Sequence, residues 1–187
     1  LALLNAGVPA DDPVVAGICK KLADLPNEST YAVSLKCQVF AAADPEKYAH
    51  PLKAAAEWLV KSQLPNGTWS YTVARRRTGR GDNSNTQFAL LGLHEASKAG
   101  FDVPKELWKR SGKHFINTQF RDGGWTYHWH SNLRRNARNG KFPTYGSMTA
   151  AGVASLYICG QRLQVAGPRV FRNGAWPYCG RYKQNKS

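Results

Sequence analysis

Gln63-Leu64-Pro65-Asn66-Gly67-Thr68-Trp69 returns 56 residues later as Gln119-Phe120-Arg121-Asp122-Gly123-Gly124-Trp125, with glutamine, glycine and tryptophan at unchanged spacing. Self-similarity at a period of this length marks stacked supersecondary units, each too small to bury its own apolar face. Carried back by the same offset, Thr86 falls on Thr30, and apolar residues follow each threonine. A third start, Ser147-Met148-Thr149-Ala150-Ala151, comes after a longer loop. Ala6-Gly7-Val8-Pro9 echoes Ala99-Gly100-Phe101, which makes Leu1 to Ala6 the tail of an earlier unit.

Between these marks the apolar spacing is helical. Tyr31, Leu35, Val39 and Phe40 form one wide stripe, and Leu52, Ala55, Ala56, Leu59 and Val60 form another. Phe88, Leu91, Leu93, Leu107, Trp108 and Phe115 continue the pattern. Acids precede prolines at Asp11-Asp12-Pro13, Asp44-Pro45 and Asp102-Val103-Pro104, where free N–H groups of a helix start need acceptors. No alternating strand pattern is present. The spacing predicts helices over 12–24, 29–43, 46–63, 83–99, 104–119 and 147–160. Those at 29, 83 and 147 carry few charges and are expected to be covered on both faces. Those at 12, 46 and 104 carry lysine and glutamate and are expected outside. Alternating inner and outer helices describe a toroid of helical hairpins, with a rod-like solenoid as the competing arrangement.

The turn has a physical reading of its own. Glutamine can satisfy backbone groups left open at a helix end, glycine permits a positive φ, and tryptophan covers the junction between hairpins. Gln63, Gly67, Trp69, Gln119, Gly123 and Trp125 are thus expected to be structural, with lining of a ligand site as the alternative for Gln63, Trp69, Gln119 and Trp125.

Trp58-Leu59-Val60-Lys61-Ser62-Gln63 followed by Gly67 and Trp69 resembles the Gln–Trp repeat of squalene and oxidosqualene cyclases. The second copy places His114 and Phe115 where that repeat has an aromatic and an aliphatic residue. Asp82-Asn83-Ser84-Asn85-Thr86-Gln87 resembles the segment that opens an inner helix in prenyltransferase β-subunits. The resemblance implies an all-α, α/α-toroid fold over residues 1–160, here about three hairpins, or roughly half of an (α/α)6 barrel. Residues 161–187 are then a basic, largely irregular segment continuing into a missing part of the domain. Half a toroid leaves inner-helix edges uncovered, so self-association or docking on the missing half is expected.

The catalytic groups of the families that the chain resembles are not found. No Asp-x-Asp-Asp cluster exists, and the Asp11–Asp12 pair reads as a helix cap. Asp82-Asn83-Ser84 stands where prenyltransferases have Asp-x-Cys, and a serine hydroxyl is a poor zinc ligand beside a thiolate. The Gly-Cys-Gly-Glu-Gln thioester motif is absent too, so no catalytic residue, cofactor or metal is assigned. His128 and His130 alternate onto one side of an extended segment without an evident third ligand. His94 is the histidine expected to face a central cavity. Cys19, Cys37, Cys159 and Cys179 lie far apart without metal-ligand spacing and read as buried thiols.

Charge supplies the remaining signal. The chain holds 26 Lys and Arg against 12 Asp and Glu, a net +14 over 187 residues. Arg75, Arg76, Arg77 and Arg80 precede one inner helix. Arg121, Arg134, Arg135, Arg138 and Lys141 precede the next, and a third basic run lies in the tail. Such loops share one mouth with the positive ends of inner helices and predict an anion-attracting rim. The expected ligand-binding set is Arg76, Arg80, Asp82, Trp125, Tyr127, Trp129, Arg134 and Arg135; the alternative is a solvated basic loop with no ligand. The expected partner is an anionic ligand or an acidic protein. Nucleic acid is supported by charge alone and lacks a recognition motif. Arg80-Gly81-Asp82 spells an adhesion tripeptide, but Asp82 is accounted for as a helix cap. No apolar run approaches the roughly 18 residues of a membrane span.

Overall fold

A computed structural model describes residues 1–72, 81–129 and 144–163. Seven helices form among them: α1 (Ala2–Asn5), α2 (Pro13–Asp24), α3 (Thr30–Ala43), α4 (Ala49–Ser62), α5 (Asn83–Lys98), α6 (Lys105–Thr118) and α7 (Gly146–Leu163). The described residues contain no strand beyond two isolated bridges, Ser29 with Thr72 and Trp69 with Asp82.

α2 and α5 start on the acids that the sequence marks, whereas at α6 Pro104 holds the capping position and no side chain, Asp102 included, caps the helix. Asp12 accepts from the backbone N–H groups of Val14 and Val15, and Pro13 sits at the first helical position. Asp82 does the same for Asn85 at the head of α5. Asp44 differs: it caps a tight turn through the N–H groups of Glu46 and Lys47, so α4 begins at Ala49 and not at residue 46.

α3, α5 and α7 pack side by side as one layer. α4 lies against α3 and α5, α6 against α7, and α2 against α3, making a second layer. Gly92 sets the spacing of the first layer, since a Cβ there would stand 2.8 Å from the Ser34 Cα. One face of this layer carries the core, with Val33, Phe40, Leu90, Leu93 and Leu156 buried against Leu59, Leu107 and Phe115 of the second layer. The opposite face, expected from the sequence to be enclosed as well, is not covered by the described residues: Leu35 is exposed there, and Tyr31, Phe88 and Leu91 are half-buried.

The two Gln–Trp turns join the layers in the same way. Leu64 N–H donates to Thr68 O at 2.9 Å, and Phe120 N–H to Gly124 O at 3.0 Å. Gly67 and Gly123 take φ of 84° and 83°, a region costly for residues with a Cβ. The indole N–H of Trp69 donates to Leu59 O (2.8 Å), and that of Trp125 to Phe115 O (2.9 Å). Beyond each tryptophan the chain runs between the heads of two first-layer helices. Thr30 N–H donates to Tyr71 O and Asp82 N–H to Trp69 O, both at 3.0 Å. In the second copy Asn83 N–H donates to Tyr127 O (2.9 Å) and Tyr145 N–H to Trp125 O (3.3 Å). Thr86 and Thr149 each accept the backbone N–H of the tryptophan beside them. The repeat read in one dimension is therefore a repeat of hydrogen bonds. No helix among the described residues is long and apolar enough to cross a membrane.

Candidate functional site

The extended segments 69–72 and 125–129 place three phenols at the heads of α3 and α5. Tyr71 and Tyr127 occupy equivalent places in the two turns, and their hydroxyls bond to each other. Tyr31, on the first turn of α3, donates its hydroxyl to Ser84 Oγ at 2.6 Å and packs against Tyr71 and Phe88, with ring centroids 5.7 and 4.6 Å apart. Trp129, two residues beyond Tyr127 in the chain, is exposed. Burial first, then the hydrogen bond to Tyr71 and the negative charge of Asp82, push the Tyr127 phenol above its ordinary value. Tyr127 thus keeps its proton, and the hydroxyls of the cluster bond to one another and to Ser84 at the positive end of α5.

Not every residue assigned to a ligand by sequence stands at this surface. Trp125 is 1% exposed: its ring packs on Gly152, where a Cβ would meet ring carbons at 2.5 Å, so it is a structural residue and not a rim residue. Asp82 is 3% exposed and spends both carboxylate oxygens on Asn85, through its backbone N–H (2.7 Å) and side-chain amide (2.8 Å). Tyr127 and Trp129 do reach the surface. Arg76, Arg80, Arg134 and Arg135 lie outside the described residues, as do His130, Cys179 and the basic tail. The stretches holding those arginines, 73–80 and 130–143, leave this edge at Thr72 and Trp129 and return to it at Gly81 and Thr144.

Gln63 departs from the role expected for it. Instead of capping its own helix it crosses to α6, donating to Leu107 O (3.1 Å) and Ser111 Oγ (3.0 Å) and accepting from Arg110 Nε (2.8 Å). Ser111 Oγ in turn donates to Gly67 O at 2.7 Å. Gln119 is exposed and folds back onto Gly123 O at 2.9 Å.

Two further polar residues, Lys36 and His114, hold helix ends together in a way their sequence positions do not show. Lys36 is buried on α3 and donates to Leu25 O (2.7 Å) and Asn27 Oδ1 (2.8 Å), closing the C-terminal end of α2. His114, on α6, faces the head of α5, its Nε2 2.8 Å from Asn83 Oδ1, and burial lowers its pKa to about 4. His94 does not stand alone: its Nδ1 accepts from Arg162 Nε at 3.0 Å, and burial and that cation lower its pKa. The thiols of Cys37 and Cys159 are buried, which pushes each up to about 12. Among the described residues no three His, Cys, Asp or Glu side chains are grouped to hold a metal.

No family model matches this chain, and neither a curated protein nor a solved structure does.

Proposed function

We propose that this chain is a toroid-repeat domain of the prenyltransferase and squalene-cyclase type that serves as a binding scaffold, holding an anionic ligand or an acidic protein segment at its basic, aromatic rim. The observation that carries this reading is the phenol cluster of Tyr31, Tyr71 and Tyr127 at the head of α5. It stands on the edge where both arginine-rich stretches begin and end. Hydroxyls now bonded to one another and to Ser84 can exchange those partners for phosphate or carboxylate oxygens, and cations linked to the same edge raise the local anion concentration.

Titration of inorganic pyrophosphate and of a poly-glutamate peptide, followed by calorimetry and by tryptophan fluorescence, tests it. Affinity should fall at least about tenfold between roughly 50 and 300 mM salt. It should be lost when Arg76, Arg80, Arg134 and Arg135 are changed together to glutamine. Binding indifferent to both salt and the fourfold change would refute the reading.

A second reading is a piece of an isoprenoid-processing enzyme whose catalytic acid lies elsewhere in the parent protein. It is favoured by the uncovered apolar face of Tyr31, Leu35, Phe88 and Leu91, which suits a hydrocarbon chain. Partition of a radiolabelled polyprenyl diphosphate onto the protein, unaffected by the fourfold arginine change, would favour this reading over the first.

A further inference from the structure

The two Gln–Trp turns share their backbone and differ in what covers them. α6 seats on the first so closely that a Cβ at Gly67 would lie 2.4 Å from Arg110 O and 2.8 Å from Ser111 N. The contact has a backbone part, in which Gln63 reaches Leu107 O and Gly67 faces Arg110 O, and a side-chain part, in which Arg110 and Ser111 bond to Gln63 and Gly67. The second turn has the same glycine conformation, yet no described atom stands within 4 Å of a Cβ built at Gly123. Ile116, which holds the position of the half-buried Val60, is exposed. The first layer repeats the contrast: Leu90 of α5 is fully buried, whereas Val153, its counterpart on α7, is 53% exposed.

The opposite end of the chain offers the matching surface. Val15, Cys19 and Leu22 of α2 correspond to Trp108, Gly112 and Phe115 of α6, and in both helices these residues face the core. On that alignment Val14, Gly17 and Ile18 stand where α6 has Leu107, Arg110 and Ser111, the residues on which the first turn seats. Leu107 and Ser111 are buried, while Val14 is 62% and Ile18 45% exposed, and a Cβ at Gly17 would meet nothing within 4 Å. Glycine in place of Arg110 leaves the helix backbone open to an incoming turn, and Val14 O stands in place of Leu107 O.

We propose that copies of this chain associate head to tail, the Val14–Gly17–Ile18 stripe of α2 in one copy seating on the Gln119–Gly123 turn of the next as α6 seats on the Gln63–Gly67 turn. The interface is heterologous, so it closes into a ring or extends according to the rotation between copies. It rests on the repeat of the turns and not on the anion-binding reading. A monomeric chain would therefore leave the rim proposal standing, and failure to bind anions would leave this one standing.

Sedimentation velocity over a concentration series up to about 1 mM tests it, a range that reaches weak contacts of one-helix size. The unmodified chain should show a sedimentation coefficient that rises with concentration. Ile18→Lys should remove that rise by blocking the α2 stripe. Gly123→Asn should remove it by adding bulk to the turn while tolerating the positive φ, and exposed Ile116→Lys gives a second variant at that end. An equimolar mixture of Ile18→Lys with Gly123→Asn retains one intact surface of each kind, and should form a 1:1 complex and nothing larger. A chain that stays monomeric throughout overturns the proposal. So do folded variants that associate like the parent, or a mixture that remains monomeric.

Discussion

Replacing Gln63 and Gln119 separately by alanine compares one amide in two settings within a single molecule. Gln63→Ala removes two donated bonds and a pair accepted by one oxygen from the Arg110 guanidinium, all where the end of α4 meets α6. A neutral hydrogen bond nets about 1 kcal/mol and one to a charged group about 2 kcal/mol, while Ser111 keeps its bond to Gly67 O; a loss of about 2–3 kcal/mol follows. Gln119→Ala removes one exposed bond within its own turn and should cost under about 0.5 kcal/mol in dilute protein. Urea unfolding of the three proteins reads both values, and in a chain of this size the first corresponds to about 4–12 °C in Tm. Equal losses at the two positions would refute the claim that the first glutamine ties the end of α4 to α6.

His114 is held neutral, with a pKa near 4 against the ordinary 6.5. The unfolded chain therefore takes up the proton first. Stability should fall as pH drops from about 6.5 to 4, by up to about 3 kcal/mol, and His114→Gln should flatten urea midpoints across that range. Gly67→Ala should destabilise far more than Gly123→Ala, because both pay for a positive φ of roughly 1–2 kcal/mol but only residue 67 would also strike the α6 backbone; thermal melts of the pair decide this. Lys36→Met leaves Leu25 O and Asn27 Oδ1 without their donor and should cost about 2 kcal/mol by urea titration.

The helices were legible because their signals are local. Asp12 before Pro13, Asp82 before Asn83 and the apolar stripes each act within one or two turns, and the structure places α2 and α5 accordingly. The tryptophans were legible as well, since an aromatic fixed six residues after a glutamine recurs only where the same junction recurs. What a side chain meets across the fold was not legible. Gln63 finds α6, forty-odd residues on, and nothing in the spacing distinguishes that from capping its own helix. Asp82 and Trp125 look like rim residues in one dimension, but the turn folds over the first and Gly152 receives the second. Lys36 reads as a solvated charge until the end of α2 is brought to it. Phe171-Arg172-Asn173-Gly174-Ala175-Trp176-Pro177-Tyr178, outside the described residues, matches the sequence Phe120-Arg121-Asp122-Gly123-Gly124-Trp125-Thr126-Tyr127 of the second turn. The rim was legible in part, because Tyr71 and Tyr127 share a repeat position, whereas the hydroxyl bond between them depends on how the two turns stack.

Hydrogen exchange of the indole N–H groups tests most directly whether two equivalent turns tie the helical layers together. Trp69 and Trp125 donate to Leu59 O and Phe115 O from fully enclosed positions, whereas Trp129 is exposed. The indole protons at 69 and 125 should exchange only with global unfolding, at matching free energies, while that at 129 exchanges freely. An indole at 69 or 125 exchanging as fast as that at 129 would contradict the account.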